Sequence, residues 1–211
     1  MKKSVIIIGY SGHAFVICDI LKSAGRKVVG YCENEYKELN PFNLKYYGSE
    51  VTDEGLKALK QHDYFIAIGN NNIRQKIQKQ LDEAGCFPAT NAIHSATSIS
   101  LTTKLGSGVM ISASVSINPL TSIGNGVICN TGCVIEHENN IHNFAHIGPG
   151  AILCGNVSIG EKTFVGARTV IKEGINIGNN CMIGAGSVII RNVPDNAVVV
   201  GNPGRVISYL N

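Results

Sequence analysis

The chain has 211 residues, of which 16% are charged and 44% are hydrophobic, and its formal net charge is +3. This composition is typical of a globular protein of one or two domains. The charge is too small to favour nucleic-acid binding, and no apolar run is long enough to cross a membrane. The seven cysteines form no CxxC pair, which favours buried thiols in a reducing cytoplasm over a zinc site.

The first ninety residues alternate short apolar runs with helical patterns. Strands are predicted over residues 4–8, 28–32 and 64–68, and helices over residues 15–24 and 73–84. Gly25 and Gly85 are predicted to end the two helices. This β-α-β-α order predicts a small parallel sheet with ligand-binding loops at the carboxyl ends of its strands. We therefore assign residues 1–90 to a Rossmann-like α/β domain.

A glycine-rich turn, Gly9-Tyr10-Ser11-Gly12-His13-Ala14, follows the first predicted strand. Such a turn presents backbone N–H groups and the positive end of a helix to a phosphate. It satisfies only half of the G-x-G-x-x-G dinucleotide fingerprint. Glu33 follows the second strand, where an acidic residue can bind a ribose. These residues predict a nucleotide site; the alternative is that the glycines only permit close packing.

From residue 93 to residue 189 an aliphatic side chain returns at nearly every sixth position. The series is Ile93, Ile99, Leu105, Ile111, Ile117, Ile123, Cys129, Ile135, Ile141, Ile147, Leu153, Ile159, Val165, Ile171, Ile177, Ile183 and Ile189. This period predicts a parallel β-helix with three short strands in each coil of about eighteen residues. The glycines that often follow the aliphatic residues are expected to adopt backbone angles that a Cβ disfavours. Residues 91–211 are therefore predicted to form an all-β domain.

Three of the six histidines lie within ten residues of each other. His137 and Glu138 are placed at a corner of the coil, and a carboxylate beside an imidazole favours a general base. Alternation points His146 outward on the next face, half a coil away, so that it would meet His137 only across a subunit contact. His142 is predicted to be a solvated surface residue. We expect no metal site.

Segments along nearly the whole chain carry a resemblance to a known family. They are residues 9–13, 65–71, 73–74, 130–131, 134–138, 146, 155–157 and 201–203. They resemble the sialic acid O-acetyltransferase (NeuD) family of hexapeptide-repeat enzymes, and most closely its PglD-like members, which N-acetylate the 4-amino group of a UDP-linked aminosugar in the bacillosamine pathway. The resemblance implies a left-handed β-helix, a homotrimer, acetyl-CoA as co-substrate and a cytoplasmic enzyme.

The resemblance also implies roles for individual residues. His137 would be the general base, and Glu138 would raise its basicity. Acetyl-CoA would contact His146, Ala167 and Ala185. Its phosphates need positive charge, for which Lys162, Arg168, Lys172, Arg191 and Arg205 are available; the alternative for each is a solvated surface residue. The nucleotide sugar would contact Ser11, Gly12, His13, Glu33, Asn34 and Gly69. Family members usually carry two aspartates where Glu33 and Asn34 stand, and this difference leaves the nucleotide base open.

Three alternative functions remain open from the sequence. The acceptor could be a hydroxyl of sialic acid or of another sugar, which gives O-acetylation. The first domain could instead bind NAD, with the β-helix serving as a trimerisation stalk. Finally, the hexapeptide repeats could serve assembly alone.

Overall fold

The computed structural model describes residues 4–86 and 89–210. The chain divides into two compact units, Met1–Ser95 and Ala96–Asn211. The predicted domain boundary, between residues 90 and 91, lies inside the first unit and stays a prediction. None of the helices in the described ranges is both long enough and apolar enough to span a membrane.

The first unit is a parallel sheet with three helices. Its elements are β1 (Val5–Ile8), α1 (Gly12–Ser23), β2 (Val28–Cys32), β3 (Lys45–Tyr46), α2 (Asp53–Gln61), β4 (Asp63–Ile66), α3 (Asn71–Glu83) and β5 (Ala92–Ile93). The sheet has the order β3-β2-β1-β4, and its neighbouring strands are parallel. Strand β1 is central and fully buried, which explains its uninterrupted apolar sequence. The predicted Rossmann-like sheet is confirmed.

Several details of this unit differ from the prediction. Helix α1 begins at Gly12 rather than at residue 15, because Ser11 already takes the extended conformation of an N-cap. Strand β4 ends at Ile66, so Ile68 lies in a loop. The sequence analysis missed β3, which is only two residues long, and α2. Helix α2 is nine residues long and mainly polar, and it buries only Gly55, Ala58 and Leu59, so its apolar stripe is short.

The second unit consists of short strands that follow the six-residue series. They are β6 (Ser98–Ile99), β7 (Lys104–Leu105), β8 (Met110–Ile111), β9 (Ser116–Ile117), β10 (Ser122–Ile123), β11 (Ile128–Cys129), β12 (Val134–Ile135), β13 (Asn140–Ile141), β14 (His146–Ile147), β15 (Ile152–Leu153), β16 (Ser158–Ile159), β17 (Phe164–Val165), β18 (Val170–Ile171), β19 (Asn176–Ile177), β20 (Met182–Ile183) and β21 (Val188–Ile189). Each of these strands ends on a residue of the aliphatic series. Two further strands, β22 (Ala197–Gly201) and β23 (Gly204–Tyr209), form a hairpin.

These strands stack into three sheets in which neighbouring strands are parallel, except for the antiparallel β22–β23 hairpin. Sheet I contains β7, β10, β13, β16 and β19; sheet II contains β8, β11, β14, β17, β20, β22 and β23; sheet III contains β6, β9, β12, β15, β18 and β21. The register joins each residue to the one a coil later, as in the pairing of Ile135 with Leu153. The predicted parallel β-helix is confirmed. We name its edges by the sheets they join: corner 1 leads from sheet III to sheet I, corner 2 from I to II, and corner 3 from II to III.

The glycines of the hexapeptide repeats have a different role from the one predicted. Those that follow the aliphatic residues are absent from the positions with positive φ. They prevent collisions between coils instead: a Cβ on Gly148 would lie 2.6 Å from the carbonyl oxygen of Val165. Positive φ occurs two positions further on, at Gly150 (φ 64) and also at Glu138 (φ 60).

Candidate active site

His137 and Glu138 lie together at corner 1. Their side chains are 57% and 56% exposed, and Nδ1 of His137 is 3.0 Å from Oε2 of Glu138. A carboxylate bonded to Nδ1 holds the ring orientation and leaves Nε2 as the atom that can accept a proton. The positive φ of Glu138 turns the chain at this point and is unfavourable for a residue with a side chain. The geometry suits a solvent-accessible general base.

The ring of His137 rests on Gly155, which lies one coil further along the same corner. A Cβ at Gly155 would lie 2.5 Å from Cε1 and 2.7 Å from Nε2 of the imidazole, closer than van der Waals contact permits. The backbone N–H of Asn156 also donates to the carbonyl oxygen of His137 at 2.9 Å. The sequence analysis gave Gly155 no role. Its position exactly one coil after His137 is the signal that would have found it.

A buried amide, that of Asn139, fixes corner 1 from inside. The residue is 1% exposed. Its Nδ2 donates to the carbonyl oxygens of Glu136 and Cys154, and its Oδ1 accepts the N–H of Val157 at 3.0 Å. The same side chain therefore satisfies backbone groups on two successive coils. It holds the segment that carries His137 against the segment that carries Gly155.

Replacing Asn139 by alanine is expected to lower the free energy of unfolding by about 3 kcal/mol, because several buried backbone groups lose their partners. Urea denaturation followed by circular dichroism measures this change. The matched control is Asn140→Ala, which removes the neighbouring, exposed amide and is expected to cost about 0.5 kcal/mol or less. Equal effects of the two substitutions would show that the buried amide does not hold the corner.

A second carboxylate, that of Glu136, stands on the outer side of sheet III next to His137. It is half-buried, and its Oε2 accepts a hydrogen bond of 2.7 Å from Nδ2 of Asn118, which occupies the same position one coil earlier. The sequence analysis gave Glu136 no function of its own. The structure shows a fixed negative charge beside the candidate base.

His146 occupies the outward row of its strand, as predicted, but it is not open to solvent. Its side chain is 8% exposed, its ring meets that of Phe164 edge-on at 4.9 Å, and its Nε2 is 3.2 Å from Nδ2 of Asn130. The alternation of side chains along a strand predicted the correct side for His146. It could not show which neighbouring side chains cover the ring. His142 is exposed, as predicted, and its Nε2 lies 3.1 Å from Nδ2 of Asn140.

An open cavity of about 600 Å³ runs along corner 3. It is lined by Thr131, Pro149, Gly150, Ala167, Arg168, Ala185 and Gly186, which come from four successive coils. The structure thus brings together two of the residues expected to contact acetyl-CoA, Ala167 and Ala185, with one of the expected phosphate ligands, Arg168. His146 is not part of this lining. The small side chains leave a groove that is suited to a narrow, extended ligand.

The other four cations expected near CoA phosphates lie in different places. Arg191 and Arg205 line one cavity of about 200 Å³, together with residues of β21 and of the C-terminal hairpin. Lys172 pairs with the adjacent Glu173 at 3.5 Å. Lys162 lies at corner 2. Of these four cations, the fold therefore brings Arg191 and Arg205 together in one cavity.

In the first unit, the residues expected to bind the nucleotide sugar lie at the carboxyl ends of three neighbouring strands, with Glu33 and Asn34 after β2. Ser11, Gly12 and His13 follow β1, and Gly69 follows β4. The two loops pack closely, since a Cβ on Gly9 (φ 85) would lie 2.8 Å from the side chain of Ile68. The carboxyl edge of a parallel sheet is where α/β domains bind ligands.

The start of α1 has the features of an anion site. Its N-cap, Ser11, makes no side-chain capping bond, and its first turn contains no acidic residue. By contrast, Thr52 and Asn70 accept backbone N–H groups at the starts of α2 and α3. The first N–H groups of α1 therefore lack a side-chain cap. They and the positive end of the helix dipole are well placed to bind a phosphate.

Glu33 links the end of β2 to the glycine-rich turn. Its Oε2 accepts the N–H of Tyr10 at 3.1 Å, and its Oε1 accepts the N–H of Asn34 at 3.0 Å. The ring of Tyr10 in turn stacks on Tyr31 at 4.2 Å. The carboxylate of Glu33 is therefore held in place by the protein, and each oxygen keeps a lone pair for a ligand.

His13 lies in the first turn of α1. Its burial, and secondly the positive charge of Arg74, lower the pKa of His13 from its ordinary value. Its Nε2 is buried and has no hydrogen-bond partner in the described part of the chain. A nucleotide sugar bound at this turn could provide that partner.

Comparison with known proteins shows which family this chain belongs to. The PglD N-terminal domain matches residues 4–81, and the hexapeptide repeat of succinyl-transferase matches residues 156–191. PerB from Caulobacter crescentus, solved in complex with CoA and GDP-perosamine, is 33% identical with a TM-score of 0.90, and the match covers 97% of each chain. The chain belongs to the NeuD/PglD-like sugar acetyltransferases.

Other solved structures of this family support the assignment. The acetyltransferase domain of PglB from Neisseria gonorrhoeae, in complex with acetyl coenzyme A, is 27% identical with a TM-score of 0.91; the match covers 98% of this chain and 100% of that one. Two histidine variants of the Caulobacter perosamine N-acetyltransferase have also been solved with CoA and GDP-perosamine. The present protein is therefore an acyltransferase with a left-handed β-helix. Within residues 4–86 and 89–210, no group of three or more His, Cys, Asp or Glu residues could hold a metal ion.

Proposed function

We propose that this NeuD/PglD-like protein transfers the acetyl group of acetyl-CoA to an amino group of a nucleotide-linked sugar. The observation that carries the proposal is the exposed His137–Glu138 pair, held at corner 1 with its ring over Gly155. The CoA and GDP-perosamine bound to the Caulobacter relative support the two substrates. The base of the nucleotide is left open between uracil, which the sequence resemblance implied, and guanine.

The chemistry is a direct transfer with one general base. Nε2 of His137 takes a proton from the amine as its nitrogen attacks the thioester carbonyl. Glu138 stabilises the imidazolium that forms. A backbone N–H stabilises the oxyanion of the tetrahedral intermediate. When the C–S bond breaks, His137 returns the proton to the thiolate, so that the products are an acetamide and free CoA.

The corner 3 groove is our proposed site for the extended arm of acetyl-CoA. Ala167 and Ala185 would line this arm, and Arg168 lies beside them. Arg191 and Arg205, which share the cavity near the hairpin, would pair with the phosphates. His146 lies in β14, the strand that leads into corner 3, and it is buried. It would therefore support the groove from that strand and would not contact acetyl-CoA as an exposed side chain.

Ala185→Phe is expected to raise KM for acetyl-CoA by about tenfold or more, because the new ring fills the groove. Ala185 is exposed, so the core should tolerate the substitution. Steady-state kinetics with varied acetyl-CoA measures the effect. Affinity for the nucleotide-sugar acceptor, measured in parallel by calorimetry, is expected to stay unchanged. An unaltered KM for acetyl-CoA would place the co-substrate elsewhere.

We also propose that the active enzyme is a homotrimer. Corner 1, with His137, and corner 3, with the groove, are different edges of the same β-helix, with sheet III between them. A thioester lying in the groove of one chain would therefore meet His137 of a neighbouring chain. The number of three chains is taken from the family resemblance.

Mixing two variants that are each impaired in a different part of the site tests this sharing, at an acetyl-CoA concentration well below the KM of Ala185→Phe. His137→Ala lacks the base, and Ala185→Phe has an obstructed groove. When the two are unfolded together and refolded, mixed assemblies contain sites with an intact base from one chain and an intact groove from the other. We expect activity to return in the mixture. Activity no higher than the sum of the two separately refolded variants would mean that each chain carries a complete site.

O-acetylation of a sugar hydroxyl is the alternative reaction, because the same base can serve a hydroxyl nucleophile. A thiol-release assay distinguishes the two reactions, with acetyl-CoA and a panel of UDP-, GDP- and dTDP-linked aminosugars beside free sialic acid. We expect release with at least one nucleotide-linked aminosugar. Release with sialic acid alone would contradict the proposal. A cytoplasmic location is also proposed, and the seven free cysteines support it.

A further inference from the structure

Five aromatic rings of the first unit contact one another in series. Tyr10, in the glycine-rich turn, meets Phe15 edge-on with ring centroids 5.3 Å apart, and it stacks on Tyr31 at 4.2 Å. The ring of Tyr31 lies 5.3 Å from that of Tyr46, which meets Tyr36 edge-on at 5.9 Å. The first four rings are buried or half-buried, whereas Tyr36 is 63% exposed. The series therefore ends on a ring that is open to a ligand.

The loop after β2, which carries Tyr36, is fixed on both sides of that residue. On one side, the hydroxyl of Tyr46 donates to the carbonyl oxygen of Glu33 at 3.1 Å. On the other side, the N–H of Lys37 donates to the hydroxyl of Tyr31 at 3.0 Å. These bonds hold the backbone around Tyr36 and leave its side chain uncovered. A surface that is already ordered loses little entropy when a ligand binds.

The position of Glu33 brings a bound ribose close to this exposed ring. An acidic residue at the end of the second strand is where α/β domains bind the ribose hydroxyls. The carboxylate of Glu33 is held there by the N–H groups of Tyr10 and Asn34. A base is joined to the sugar carbon next to the one that carries the 2′-hydroxyl, so it cannot lie far from the acid. Among residues 4–86, Tyr36 is the aromatic residue with an exposed side chain.

We propose that Tyr36 is the stacking surface for the nucleobase of the acceptor, and that it gives this chain a preference for guanine over uracil. This inference rests on the proposed nucleotide-linked acceptor, whose base was left open between these two. A base stacks on a tyrosine ring through its π-face, and the contact grows with the area of overlap. Guanine has two fused rings and uracil has one, so guanine gains more from the same exposed ring.

Two substitutions separate stacking from the other contacts of the side chain. Tyr36→Phe keeps the ring and removes the hydroxyl, whereas Tyr36→Leu keeps an apolar side chain and removes the π-face. Titration calorimetry gives Kd for GDP and UDP. We expect the wild-type chain to bind GDP at least about fivefold more tightly than UDP. Tyr36→Leu is expected to weaken GDP binding about tenfold and UDP binding about threefold, and Tyr36→Phe to change neither by more than about twofold.

A second measurement reports the stacking itself. The H8 proton of guanine moves upfield in the NMR spectrum when the base lies over an aromatic ring. We expect this shift for GDP bound to the wild-type chain and to Tyr36→Phe, and we expect its loss with Tyr36→Leu. If Tyr36→Leu does not fold, the ratio of the GDP and UDP affinities and the H8 shift of the wild-type chain decide.

Tyr209→Leu is the matched control, because it removes a similarly exposed tyrosine from the second unit. Tyr209 lies at the end of β23 and is 60% exposed. We expect this variant to keep both Kd values of the wild-type chain. Thermal unfolding and acetyl-CoA binding report whether each variant is folded.

Three results would overturn the inference while leaving the proposed function intact. The first is UDP binding by the wild-type chain that is as tight as GDP binding. The second is wild-type affinity for GDP in Tyr36→Leu, and the third is the absence of an H8 shift when GDP is bound. Failure of the wild-type chain to bind any nucleoside diphosphate would instead overturn the nucleotide-linked acceptor, and this inference with it.

Discussion

Replacing His137 by alanine is expected to lower kcat by about 10²- to 10⁴-fold, the range that general bases contribute. The side chain is 57% exposed, so its removal takes little packing from the core. The variant should therefore fold, bind acetyl-CoA and fail in proton transfer. Single-turnover thiol release at saturating substrates measures the chemical step without interference from binding.

His142→Ala is the control for this substitution. His142 is also exposed, lies on the neighbouring corner and bonds to Asn140 rather than to a carboxylate. We expect its activity to stay within about twofold of wild type, since surface substitutions have small effects. If both variants lost activity equally, the loss would reflect general damage to the β-helix, and the assignment of the base to corner 1 would be wrong.

Gly155→Ala is expected to lower kcat by about tenfold or more without unfolding the protein. The added methyl group would occupy space now held by the imidazole, at 2.5 Å from Cε1, so the ring of His137 must turn away. The ring is at the end of an exposed side chain, which makes this movement cheap for the fold. Misplacing a catalytic group by about 1 Å can cost about a hundredfold in rate. Kinetics and thermal unfolding of the same preparation test both halves of this expectation.

Gly174→Ala provides the comparison for Gly155→Ala. Gly174 lies at the same corner one coil later, and a Cβ there would meet no atom within 4 Å. Its positive φ of 70° predicts a stability cost of about 1 kcal/mol but no displacement of His137. The two variants should therefore separate: Gly155→Ala loses activity, and Gly174→Ala loses only stability. The opposite pattern would show that Gly155 does not support the imidazole.

The β-helix, with its six-residue period, was predictable from the sequence, although the bounds of its strands were not predicted. The inward position of each coil must be apolar because it stacks on the coils before and after it, and this requirement repeats along the entire domain. Each strand from β6 to β21 accordingly contains one residue of the aliphatic series, at its end. In the first unit, β2 was predicted with its observed bounds. Strand β3 has only two residues and helix α2 buries only three, so the apolar stretch of each is too short to have been found.

The candidate site was predictable only in part. Local alternation and the IEHE sequence placed His137 and Glu138 at a corner. The residues that support them are distant in sequence: Gly155 lies one coil away, and Asn139 bonds to the segment around Cys154 and Val157. The covering of His146 by Phe164 depends likewise on the next coil. A period of six fixes which residues are stacked, but not which side chains fill the space between them.

The most direct test of the account uses two acceptors that differ in one group. One is a nucleotide-linked sugar with a free amine, chosen from those that the wild-type protein binds. The other is the same compound with a hydroxyl in place of the amine. With acetyl-CoA and the wild-type protein, mass spectrometry and NMR should show an acetamide from the first acceptor, little or no ester from the second, and neither product with His137→Ala. Faster formation of the ester, or wild-type turnover by His137→Ala, would contradict the proposed reaction.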